Sequence, residues 1–148
     1  MTPLHPSFAA KLAASLATVV VSSLACAGGQ KAALKPSRSV SAADGKVEAK
    51  QADNGNTHLE LQVEHLAPPQ SVSAGASTYV VWALPAAAGG EHVENLGALS
   101  IGDERKGELK AFTPLQSFDV LVTPEVSAKV QSPSHEPVLT ARIWMPSQ

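Results

Sequence analysis

The sequence predicts an all-β domain, an antiparallel β-sandwich of about seven strands over residues 44–148. Three observations predict it. "THLELQVEHL" alternates apolar and polar residues, "STYVVWALP" is apolar on both faces, and turn residues recur at steady intervals with no helical period after residue 26.

The elements follow in order. Lys46 to Gln51 reads as a short strand, and Asp53 to Asn56 as a turn whose Asp, Asn and Gly tolerate positive φ angles. In the next strand Leu59, Leu61 and Val63 face one way, while His58, Glu60, Gln62 and Glu64 face the other. "APPQSVSAGAS" is a loop, because paired prolines and small polar residues break ladders. In "STYVVWALP" Tyr79, Val81 and Ala83 oppose Val80, Trp82 and Leu84, so this is a central strand with Trp82 buried between the sheets. Further strands run from about Asn95 to Ile101, through "ELKAFTP" after the charged tip "DERKG", and through "SFDVLVTPE" with Val120 inward. "VSAKVQSPSH" is a long polar connection, and "EPVLTARIWMP" supplies the last strand. Leu61, Trp82 and Val120 mark the expected core; Trp144 reads equally as a core residue or an exposed platform.

Residues 1–25 read as a secretory signal peptide: Lys11 gives a basic flank, and Leu12 to Ala25 is uncharged and apolar, with small residues at its exit. That run is too short to span the ~30 Å of bilayer hydrocarbon. At Cys26, the one cysteine of the chain, "SLAC" resembles a bacterial lipobox, although Ser23 stands where Leu is usual. The resemblance implies diacylglycerol on the Cys26 thiol, cleavage before it and acylation of the new α-amino group. The partner is then a membrane, reached on its extracytoplasmic side. Ala27 in the next position is similar to an outer-membrane sorting signal where the cell has two membranes. The alternative is ordinary cleavage after Ala27, with Ala25-Cys26-Ala27 as the exit, releasing a soluble periplasmic or secreted module that begins at Gly28 and binds a small ligand or metal. The placing of the one cysteine favours lipidation. Residues 26–43 read as the lipidated cysteine and a flexible linker, and a coil from Ala27 to Ala43 reaches roughly 20–25 Å. Lys31, Lys35 and Arg38 in it could meet anionic headgroups.

Cleavage before Cys26 removes Lys11 and none of the 13 acidic residues, leaving a net charge of −3. Nucleic acid, which calls for a basic patch, is not an expected partner. An exported domain without a cysteine pair must be held by its core alone.

Few residues suggest chemistry. His58/Glu60 and His92/Glu94 are His-x-Glu pairs, and residues two apart on a strand share a face, so each could offer zinc an imidazole and a carboxylate. A solvated polar face explains them as well. Ser134-His135-Glu136 has the letters of a catalytic triad, but adjacent residues do not form that relay. "SAGAS" at Ser73 to Ser77 lacks the glycine spacing of a nucleophile elbow. No enzyme activity and no cofactor are expected.

Taken together, "TYVVWALP", "NLGALSIGDERKGELKAF", "FDVLVTPE" and "PVLTARI" resemble the C-terminal extracytoplasmic domain of anti-sigma-K factors, over roughly Lys46 to Trp144. The resemblance implies an immunoglobulin-like sandwich on the outer side of a membrane, serving protein–protein contact or envelope support. It does not extend to sigma-factor binding, which in that family belongs to an N-terminal cytoplasmic domain; here the first 43 residues read as signal and linker. Arg142 to Trp144 also replaces the small residues usual in the family's last strand.

Overall fold

The computed structural model describes residues 29–86 and 92–145. Eight strands form: β1 (Gln30–Pro36), β2 (Asp44–Gln51), β3 (Thr57–Glu64), β4 (Thr78–Pro85), β5 (Glu94–Ile101), β6 (Gly107–Thr113), β7 (Ser117–Glu125) and β8 (Leu139–Trp144). A 3-10 turn at Arg38–Val40 and a single helical turn, α1 (Pro69–Val72), lie in the connections. The strands bond in the order β1-β2-β3-β6-β5-β4-β7-β8, and β8 returns to β1. This is a closed antiparallel barrel.

The expected seven-strand sandwich, immunoglobulin-like or otherwise, is thereby corrected, and two features account for the difference. First, β1 lies inside the segment read as a flexible linker. In its sequence "QKAALKP" Leu34 is the one large apolar residue, so the alternation that turns Ala32 and Leu34 inward is faint in the residue types, yet Gln30↔Ala49 through Leu34↔Gly45 form a regular ladder with β2. Second, β1 and β5 each pair on both sides. β1 reaches β8 through Lys35 and Pro36, and β5 reaches β6 through Ser100 and Ile101 after pairing β4 from Glu94 to Leu99. The switch in β5 is made by a bulge. Val81 pairs Gly97 but Trp82 pairs Asn95, leaving Leu96 extra. Gly97 sits at φ +128°, a region that favours glycine, and the Asn95 side chain accepts its N–H at 2.9 Å.

The interior is filled by side chains. Leu59 and Leu61 of β3, Tyr79 and Val81 of β4, Phe118, Val120 and Val122 of β7, and Leu139 of β8 expose none of their surface. Leu61 and Val120 thus occupy the core positions assigned to them. The Tyr79 hydroxyl donates to the Ala67 carbonyl at 2.8 Å, tying the β3–β4 connection to the barrel, and burial pushes its pKa up to about 12. Trp82 is also fully buried, but not between two sheets. It alternates with the interior residues Val81 and Ala83 and pairs Leu121, so it points away from the barrel axis.

Candidate functional sites at the two rims

Strand direction sorts the connections into two rims. The near rim holds the start of β1, the β2–β3 turn, the β6–β7 connection and the end of β8. The far rim holds the β1–β2, β3–β4, β5–β6 and β7–β8 connections.

At the far rim, β7 ends in Thr123, Pro124 and Glu125, and the long β7–β8 connection folds back over the outer face of β4, β5 and β7. Thr123 and Glu125 have no exposed surface. The indole N–H of Trp82 donates to Thr123 Oγ1 at 2.9 Å, and that hydroxyl donates to Glu125 Oε1 at 2.6 Å. The same oxygen accepts the Ser134 backbone N–H at 2.9 Å. Asn95 grips the connection beside it, its amide donating to the carbonyls of Ala128 (3.1 Å) and Val130 (2.9 Å). Trp82 is therefore buried by a polar loop that its own hydrogen-bond chain holds down.

His135 brings Nδ1 to 3.8 Å from Glu125 Oε2, and neither atom has another partner. Burial alone would raise the Glu125 pKa. The bonds from Thr123 and Ser134 and the charge of His135 outweigh it, and the carboxyl is held below its ordinary value. Ser134, His135 and Glu136 do not act as a triad here: Ser134 and His135 both engage Glu125. Sequence reasoning missed Glu125. Its only signal was an acid two residues after Thr123 on a strand whose other outward acid, Asp119, sits in an exposed bidentate pair with Arg142 at 2.7 and 3.0 Å.

The zinc candidates lie toward the near rim and remain apart. His58 and Glu60 are 4.0 Å apart on the outer face of β3, but Glu60 also faces Lys110 at 3.5 Å. The His58 ring lies against Phe112, with centroids 4.7 Å apart. Glu94 accepts the Thr113 hydroxyl at 2.6 Å, His92 is exposed before β5, and β6 separates the two pairs. Among the described residues no three His, Cys, Asp or Glu side chains converge on a common point.

The near rim also carries the two exposed aromatic residues among the described ones. Phe112 is 59% and Trp144 70% exposed, whereas Tyr79, Trp82 and Phe118 are fully buried. Phe112 is next to last in β6 and Trp144 is last in β8, and these strands stand on opposite sides of the ring. The Trp144 backbone N–H donates to the Gln30 side chain, which ties the aromatic to the first residue of β1. Cys26 and residues 1–25, read above as a signal peptide, lie outside the described residues.

No family model matches the chain, and no curated protein matches it. Among the described residues no helix is long and apolar enough to cross a membrane.

Proposed function

We propose that the chain is a non-catalytic lipoprotein, tethered through Cys26 to the extracytoplasmic side of a membrane. Its barrel serves protein–protein contact or envelope support, with no cofactor and no nucleic acid. The observation that carries this reading is the position of barrel closure. β1 begins at Gln30 and completes the ring with β8, so cleavage before Cys26 leaves all eight described strands in the product. The fold thus tolerates the processing that "SLAC" suggests. The sequence resemblance to the outer module of anti-sigma-K factors implies the same extracytoplasmic side, but the sandwich it also implies is not the fold of this chain. A filled interior supports surface contact over ligand storage, since an eight-stranded barrel either packs its lumen or leaves room for one small molecule.

The test is intact mass and labelled palmitate incorporation after expression in a lipidating host, for wild type and Cys26→Ala. We expect a triacylated wild type in the membrane fraction, and an unlabelled variant that accumulates as precursor or leaves the membrane. An unlabelled wild type beginning at Gly28 would overturn the tether and leave the soluble module, with cleavage after Ala27.

A further inference from the structure

We propose that the near rim of the barrel rests on the lipid surface, with Trp144 and Phe112 as its interfacial contacts. The inference builds on the tether at Cys26 and adds an orientation to it.

Chain length is the first support. The linker reading allowed a domain drifting more than 20 Å from its anchor, but β1 starts at Gln30. Four Cα steps separate Gln30 from Cys26, and fully extended they span at most roughly 14 Å. Whatever path those residues take, a lipid on Cys26 holds the start of β1 within that distance of the headgroups. The start of β1 belongs to the near rim, so this rim faces the bilayer and the far rim points away.

The placement of the aromatic residues is the second and independent support. Exposed tryptophan and phenylalanine leave apolar area in water; an indole, with its polar N–H edge, gathers where hydrocarbon meets headgroup, and a phenylalanine ring adds apolar area beside it. Both exposed aromatic side chains among the described residues lie at the near rim, on opposite sides of the ring, as two-point seating on a flat surface requires. Val126, the other large exposed apolar residue among the described ones, is at the far rim.

Charge contributes little to this seating. Lys31 and Lys50 stand near the rim, but both pair with Glu48, at 3.4 and 2.8 Å, while Lys35 and Arg38 are carried to the far rim by β1. The surface that fits is therefore a zwitterionic or mildly charged bilayer met through aromatic side chains, rather than a strongly anionic one met through lysines.

The experiment uses the mature lipidated protein reconstituted in phosphatidylcholine vesicles containing brominated acyl chains, which quench indole at short range. Wild type carries Trp82 and Trp144, and Trp144→Phe isolates the Trp82 background. We expect at least twofold quenching of the Trp144 emission, none of Trp82, and none of a tryptophan placed at the far rim by Val126→Trp in the Trp144→Phe background. Equal quenching at both rims, or an unquenched Trp144 in protein that is acylated and bound to vesicles, overturns the orientation while leaving the tether intact. Absence of acyl chains by mass overturns the tether itself. Concentration-dependent protection of Trp144 in detergent, without lipid, would assign the rim to a second copy of the chain and overturn the lipid contact.

Discussion

Glu125 concentrates more buried polarity than any other side chain described, and it is held by groups from two segments: Thr123 on its own strand, and Ser134 and His135 on the connection above. Its folded pKa lies below the ordinary value of 4.5. The sign follows. A lowered carboxyl pKa contributes stability above the unfolded value, and that contribution is lost as pH falls through the folded value. Thermal melts taken from neutral pH to below 4.5 should show a steeper loss for wild type than for Glu125→Gln, which keeps an acceptor but does not titrate. Parallel slopes would mean that other carboxylates govern acid unfolding. Trp82 adds bulk to the same arrangement. Trp82→Ala should cost about 3–5 kcal/mol in denaturant unfolding, because it opens a void under the connection and removes the donor to Thr123. An unchanged midpoint would show that the loop does not depend on the indole.

At the scale of the element, β5 decides the architecture. A straight β5 would continue along β4; the bulge at Asn95–Gly97 bends it, and its last two residues reach β6. Gly97 is the residue that allows the bend, since φ +128° is strained for any side chain and an added Cβ would lie 3.4 Å from Leu109 Cδ1. Gly97→Val should destabilise by roughly 1–3 kcal/mol. Amide exchange should rise first at Ser100 and Ile101, where the seam is shortest. Uniform exchange along β5 would show that the bulge does not control the seam.

At the scale of the molecule, closure removes the exposed edges that an open sheet presents to other chains. Both seams are two residue pairs long, so the ring depends on β1 as much as on the hydrophobic strands. A chain beginning at Asp44 should therefore fail to unfold cooperatively and should aggregate through the freed edges of β2 and β8. A chain beginning at Gly29 should give one sharp transition and a β-type circular-dichroism spectrum. Equal behaviour of the two would make β1 dispensable.

Residue order alone is enough to show that the domain is all-β, where seven of its strands run, and that Leu61, Trp82 and Val120 are buried. Those properties depend on alternation along a single strand, and alternation is local. Closure of the sheets is visible in the folded molecule and not before. β1 has one fully buried side chain and is held mainly by backbone bonds to β2 and β8, and a ladder of backbone bonds leaves no imprint on side-chain pattern. The same limit hid Glu125, one of whose partners, Ser134, is 9 residues further along the chain, and it hid what covers Trp82, which is a loop and not a second sheet. A strand apolar on both faces says that both are covered, but not by what. One face of β4 is covered by the barrel interior, and the other by a polar loop pinned over an indole.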